Sequence, residues 1–309
     1  MLAARRPARR RSAHDGGADA DRWRRVRTPR PSLAGAEPHA GWGGSARVSP
    51  WAWTFEPAFA VLAVLAAWLW FRAGRDEQVP TRRTLAFAAG LVLVVVVLNS
   101  PLETIAIEYL VVAHLLQNVA IGDWAPMLLL IGLTPRMRES LATRGGCVLA
   151  RLVRPRVALP VWLVGWYLIH FGPVYDAAVR NEALLNLEHA ALIVLGLLFW
   201  WPVVCDTPRA ISTLGRLVYV FAAFVGSAFL GLALTFAPPV YDWYVERPER
   251  LWGLSAARDQ SYGGILMSAE QAIVFGAAIV WLLVRLLREE AAEEERLAVA
   301  QRRAGLREH

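Results

Sequence analysis

Charged residues are scarce in this chain of 309 residues, and lysine is absent, since all 33 basic residues are arginine. Only 19% of the residues are charged whereas 56% are hydrophobic, which leaves too little charge to cover the surface of a soluble domain. The hydrophobic residues also form runs without any charged residue, for example Val61–Phe71, Leu85–Leu98 and Ile193–Val204. The composition therefore argues against a soluble fold and predicts an all-α, polytopic membrane helix bundle.

Cysteine is rare as well. The two cysteines, Cys147 and Cys205, lie far apart in the sequence and belong to no CxxC pattern. The topology derived below places both on the cytoplasmic side, where thiols stay reduced. We therefore expect neither a disulfide framework nor a cysteine metal site.

Sequence motifs of enzymes and of nucleic-acid-binding proteins are missing. The sequence contains no HExxH and no GxSxG, and Gly215 and Gly226 are isolated glycines that form no phosphate-binding loop. The net charge of +7 comes from arginines in the tails and short loops, and no nucleic-acid-binding motif accompanies it. We predict that the protein is not an enzyme and has no nucleic-acid partner.

The composition divides the chain into three regions. Residues 1–50 are rich in arginine, glycine, alanine and proline and contain no apolar segment typical of a signal peptide, so we predict a disordered tail. Residues 51–288 carry the apolar segments and form the predicted transmembrane domain. Residues 289–309 are highly charged and predict a solvated cytoplasmic tail that begins as a helix.

The predicted transmembrane domain contains about seven apolar segments, each near the ~20 residues that cross ~30 Å of hydrocarbon. The third segment is too long for a simple span. Its Gly122–Pro126 stretch is expected to bend or break the helix, because proline lacks a backbone donor. The predicted spans are 51–71, 83–101, 104–132, 157–172, 185–204, 213–236 and 262–287.

Loop arginines predict the orientation, because short cytoplasmic loops are enriched in basic residues. After the first span, four arginines occur from Arg72 to Arg83, and after the third span six occur from Arg136 to Arg156. The loop after the second span has none, and acidic residues accompany the arginines of the loop before the seventh span. The distribution predicts an N-terminus outside and a C-terminus inside.

Several polar side chains lie inside the predicted spans, where they are costly and usually functional. Counted from the span ends, His114, His170, His189 and Met267 lie at one depth in the outer half of the bilayer. Imidazole suits copper, zinc and iron, and a thioether selects Cu(I), so these residues are a candidate metal site. Interhelical hydrogen bonding accounts for the same residues without a metal. The supporting polar residues are Gln117, Glu188 and Asp259.

Short motifs spread over residues 51–287 resemble those of one known family. They are Ser100-Pro101-Leu102, the stretch from His114 to Asn118, Ala125–Gly132, His170–Ala178, Leu187-Glu188-His189, Leu198–Pro202 and Asp259–Met267. In residue type, order and loop length they resemble the CtaG family of bacterial integral membrane proteins, which is linked to assembly of caa3-type cytochrome c oxidase.

The resemblance implies an assembly factor that helps copper reach or settle in the catalytic subunit of the oxidase. It further implies a multi-pass protein of the bacterial cell membrane, with cytochrome c oxidase subunits and the lipid bilayer as partners. The implied copper ligands are His114, His189 and Met267, helped by His170.

Three of the departures from the usual pattern of the family affect its likely metal ligands. Leu115 stands where a methionine is usual, and Asn118 and Leu185 stand where histidines are usual. Fewer soft ligands predict a sparse Cu(I) site of lower affinity than in typical relatives.

A transporter or channel is the alternative. In that interpretation His114, Glu188, His189 and Glu270 form a proton or ion relay through the membrane. The sequence lacks the internal repeat that many transporters carry. A membrane helix bundle suits either function equally well.

Overall fold

The structure is a computed structural model that describes residues 48–247 and 250–305, and within these ranges every regular element is helical. Almost all of the predicted N-terminal tail lies outside the described residues. The α-helices are α1 (Pro57–Ala73), α2 (Thr81–Leu98), α3 (Pro101–Glu108), α4 (Val111–Val119), α5 (Ala125–Gly132), α6 (Pro135–Leu152), α7 (Pro155–Ile169), α8 (Gly172–Val179), α9 (Glu182–Val204), α10 (Thr213–Phe236), α11 (Asp242–Glu246) and α12 (Ala256–Gly305). A π turn (Ala120–Trp124) joins α4 to α5.

Five helical stretches of the described chain are long and apolar enough to cross a bilayer. They are α2, Val111–Gly132 from α4 to α5, α9, α10 and α12. The pair formed by α7 and α8 is bent by 68° and makes a sixth if it counts as one span, and α1 is a shorter apolar helix of 17 residues. Each predicted apolar segment therefore corresponds to a helix. The number of spans and their orientation stay predictions.

The predicted third span differs most from the structure. Its first residues form a separate helix, α3, which ends before a break at Tyr109 and Leu110. At the expected distortion, the helix widens into the π turn, where the Ala125 N–H donates to the Ala120 carbonyl, five residues back. Pro126 follows directly and has no N–H of its own to donate. The distortion lies where proline predicts it, but as a π turn inside a continuous span.

Close approach of glycine backbones fixes the packing of α9 against the π turn. A Cβ added to Gly196 would lie 2.0 Å from the Gly122 carbonyl oxygen and 2.7 Å from Pro126 Cγ. Only a residue without a Cβ allows this separation. The residues that face one another along α9 and α4 are thereby held in a fixed register.

The two largest of three apolar clusters in the described part of the chain lie toward opposite ends of the bundle. The first surrounds the start of α4 and α9 and includes Leu115, Leu192 and Met267. The second lies at the other end, where the Phe199 ring packs 4.4 Å from the Trp162 ring. The helix α12 runs past both clusters and continues to Gly305, so the predicted boundary at residue 288 does not interrupt the helix.

Replacing Gly196 with alanine is expected to destabilise the fold by about 2 kcal/mol, because the new methyl group overpacks a backbone contact. The matched control is Gly276→Ala in α12, since a Cβ at Gly276 meets no atom within 4 Å. Thermal unfolding of the protein in detergent measures the difference. Equal melting temperatures for the two variants would contradict the close approach of α9 and the π turn.

Candidate functional site

His114 lies in α4 and is completely buried between two partners. Its Nδ1 is 3.1 Å from the hydroxyl oxygen of Tyr244, and its Nε2 is 3.6 Å from Oε1 of Glu188 on α9. The Tyr244 hydroxyl donates its one proton to the Ala106 carbonyl over 2.6 Å, so it can only accept from His114 Nδ1–H. The neutral imidazole is therefore protonated at Nδ1, and its Nε2 lone pair points toward Glu188.

This arrangement brings a lone pair against a carboxylate in a water-poor interior. Glu188 Oε1 also accepts a hydrogen bond of 3.1 Å from Asn118 Nδ2, whereas Oε2 has no hydrogen-bond partner in the structure. Two electron-rich atoms face each other favourably only when a proton or a cation lies between them. The pair formed by His114 and Glu188 is therefore chemically suited to hold either one.

His189 completes the core of the cluster. Its ring centroid is 6.0 Å from that of His114, and the residue is 1% exposed. Both of its ring nitrogens are buried without a hydrogen-bond partner in the structure. A buried polar atom without a hydrogen bond lowers the stability of the fold by about 1–3 kcal/mol. In native proteins a water molecule or an ion usually provides the missing partner.

His170 lies at the bend between α7 and α8 and reaches the cluster through an aromatic ring. Its Nδ1 donates to the Trp166 carbonyl over 2.7 Å, which leaves Nε2 unprotonated in the neutral form and without a hydrogen-bond partner. The ring of Tyr175 lies 6.4 Å from His170 and 4.7 Å from His114. His170 therefore belongs to the same buried cluster, but it is linked to His114 only through the Tyr175 ring.

The polar frame around Tyr244 is held by α12. Asp259 accepts hydrogen bonds from the N–H groups of Val111 and Val112, the first residues of α4. Arg250 donates to the Tyr244 carbonyl and lies 3.7 Å from the Asp259 carboxylate. Asp259 therefore caps the helix that carries His114, and its carboxylate accepts from the backbone of α4 rather than from the imidazole.

Among the described residues, neither Met267 nor Gln117 forms a hydrogen bond with an imidazole. Met267 is completely buried in the apolar cluster around Leu115. Gln117 donates to the Val97 carbonyl and to Glu103, so it ties α4 to α2 and α3. On α4, Asn118 rather than Gln117 donates a hydrogen bond to Glu188.

The sequence matches the model of a known family. The family model for the cytochrome c oxidase caa3 assembly factor, Caa3_CtaG, covers residues 48–289. The chain belongs to this family. This membership confirms the family predicted from the sequence motifs.

Similar curated proteins come from mycobacteria and carry no assigned function. An uncharacterized protein of Mycobacterium leprae (strain TN) is 24% identical over 245 residues, which are 72% of this chain and 36% of that protein. An uncharacterized protein of Mycobacterium tuberculosis (strain CDC 1551 / Oshkosh) is 23% identical over 273 residues, or 80% and 40% of the two chains. The chain thus spans about two fifths of the length of these relatives. No solved structure matches it.

The histidine cluster offers few ligands. Within residues 48–247 and 250–305, no group of three or more His, Cys, Asp or Glu side chains is arranged to hold a metal ion. Leu115 and Leu185, where the resemblance leads us to expect a methionine and a histidine, are buried in the first apolar cluster. The imidazoles lie close together but do not converge on one point.

The cysteines lie away from this cluster. Cys147 is exposed on α6 and Cys205 is buried just after α9, and both are free thiols. Burial raises the pKa of the Cys205 thiol to about 11, so it stays protonated at neutral pH. Neither is suited to act as a thiolate ligand for the histidine cluster.

The sequence motifs did not reveal the role of Tyr244. It lies in α11, outside every predicted span, so counting depth from the span ends could not place it beside His114. The only sequence signal is the concentration of aromatic residues around α11, which also fits interfacial anchoring.

The variant Tyr244→Phe is expected to remove the acceptor that fixes the His114 tautomer. Nitrogen chemical shifts of labelled imidazoles should show neutral His114 protonated at Nδ1 in the wild type and a mixture of tautomers in the variant. Stability should fall by about 1–3 kcal/mol, because buried groups lose their partner. Tyr167→Phe, which removes an exposed hydroxyl bonded to the Gly226 carbonyl, is the control. A wild-type His114 protonated mainly at Nε2 would contradict the geometry.

Proposed function

We propose that this protein assists delivery or insertion of copper into the catalytic subunit of a caa3-type cytochrome c oxidase. The observation that carries the proposal is the set of buried imidazole nitrogens without partners at His114, His170 and His189. Family membership is the reason for naming this oxidase as the recipient. The histidine cluster is the place where a transition metal would bind.

The orientation of two of the rings favours metal binding through Nε2. The Nδ1 atoms of His114 and His170 are committed to Tyr244 and to the Trp166 carbonyl. Histidine ligands to metals are usually oriented in this way by a second hydrogen bond from the other ring nitrogen. Copper in this cluster would be held by His114 and His189, and His170 lies on the far side of the Tyr175 ring.

Charge and ligand softness fit a monovalent copper ion. Glu188 supplies one negative charge beside His114, which offsets the cost of holding a cation in a low-dielectric interior. Met267 is buried in the apolar cluster that includes Leu115 of α4, and its thioether is a ligand type that selects Cu(I). A small number of ligands suits a transfer protein, because the ion must leave again.

A transporter is the second candidate, and one further observation favours it. Asp123 in the π turn is completely buried with neither carboxylate oxygen hydrogen-bonded, and Glu270 accepts from Trp124 Nε1 over 2.6 Å. Asp123 lies ~13 Å beyond His114 along the span, at ~1.5 Å per residue. Carboxylates at a second depth are what a proton or ion relay through the bundle requires.

Oxidase activity in a strain that lacks this protein separates the two functions. Under limiting copper, the double variant His114→Ala/His189→Ala should restore at most a tenth of the activity that the wild type restores, because the ligands are lost. The variant Asp123→Asn/Glu270→Gln should restore full activity, since it leaves the histidines in place.

Equal amounts of each variant in the membrane must be verified by immunoblotting. Full oxidase activity with the histidine double variant would overturn the copper proposal. Loss of activity with the carboxylate variant alone would favour the relay instead.

A further inference from the structure

A cleft of about 710 Å³ lies at the end of the bundle remote from the histidine cluster. Five arginines line it together with a single acidic residue, Asp206. The arginines come from four separate parts of the chain: Arg82 and Arg83 at the start of α2, Arg138 in α6, Arg216 in α10 and Arg285 in α12. The fold therefore gathers positive charge that is dispersed in the sequence.

Hydrogen bonds to backbone carbonyls hold three of these guanidinium groups in place. Arg83 donates to the Leu133 carbonyl, Arg138 to those of Leu130 and Val204, and Arg216 to that of Val203. The carbonyls belong to the C-terminal ends of α5 and α9, which carry partial negative charge. Such bonds orient the arginines without cancelling their positive charge.

The guanidinium groups keep donors for a further ligand. Arg216 is 3% exposed, and its Nε, like that of Arg138, is buried without a hydrogen-bond partner in the structure. Arg216 is paired with Asp206 and Arg285 with Glu289, so the other three arginines of the cleft form no ion pair within the described residues. An anion with several oxygen acceptors, such as a phosphate group, matches this set of donors.

The remaining walls of the cleft are apolar. On α12, Ile273 and Trp281 line the cleft and are 71% and 54% exposed, and Val203 and Val204 of α9 lie opposite. A free phosphate ion gains nothing from such walls. A ligand with an anionic head and a hydrocarbon tail satisfies both the arginines and the apolar side chains.

We propose that this cleft binds an anionic phospholipid, with its phosphate among the arginines and an acyl chain along α12. The loops that supply the arginines are those that the arginine distribution assigns to the cytoplasmic side, where anionic headgroups attract basic residues. Because Arg83, Arg138 and Arg216 also tie the ends of α5 and α9, the bound lipid stabilises the bundle that carries the histidines.

Native mass spectrometry of the full chain in detergent tests this site with two lipids. Phosphatidylglycerol should bind at least tenfold more tightly than zwitterionic phosphatidylcholine, because only the former carries net negative charge. The variant Arg82→Gln/Arg285→Gln should weaken phosphatidylglycerol binding roughly tenfold, since each basic residue contributes to attraction of the anionic head. These two arginines are more exposed than Arg216, so the fold should survive, which the melting temperature verifies.

The control removes the same charge elsewhere. The variant Arg75→Gln/Arg136→Gln changes two exposed arginines that do not line the cleft, and it should bind phosphatidylglycerol like the wild type. Equal loss in both double variants, or equal binding of the two lipids, would overturn the proposal. Displacement of the lipid by millimolar inorganic phosphate would overturn it too, since that outcome assigns the cleft to a free anion.

Discussion

The carboxylate of Asp259 joins α12 to the first turn of α4, and the position of the histidine cluster depends on this contact. The break at Tyr109 and Leu110 would otherwise leave the first N–H groups of α4 without partners at a depth where water is scarce. Asp259 accepts from Val111 and Val112, and Arg250 links the same carboxylate to Tyr244. The capped helix then presents His114 to Glu188 of α9.

The two ends of the bundle use polar residues in opposite ways. At one end, Nε2 of His114 and both nitrogens of His189 are buried and unpaired, which is costly unless a ligand meets them. At the other end, arginines donate hydrogen bonds to carbonyls at the ends of α5 and α9, and these arginines keep their positive charge. Between the ends, the contact of Gly196 with the π turn keeps both sets of residues in register.

Much of the fold could be predicted from the sequence, because apolar runs and prolines act locally. The segment 213–236 agrees with α10 at both ends, and Pro126 marks the site of the π turn. The separate helix α3 and the role of Tyr244 could not be predicted, because both depend on contacts between distant parts of the chain. Counting residues from the span ends predicted one depth for His114 and His189. The same count could not predict that Asp259 caps α4 or that Gln117 donates to Glu103, since both contacts depend on how the helices pack.

A competition titration distinguishes the proposed sparse Cu(I) site at His114 and His189 from a purely structural cluster. The purified protein in detergent is titrated with Cu(I) against a chromophoric chelator, beside the His114→Ala/His189→Ala variant. A Cys147→Ser/Cys205→Ser variant excludes binding by thiols. We expect one weakly bound ion in the wild type and in the cysteine variant, and at least tenfold weaker binding in the histidine variant. Identical titrations for the wild type and the histidine variant would contradict this expectation and leave the cluster as a helix-packing network.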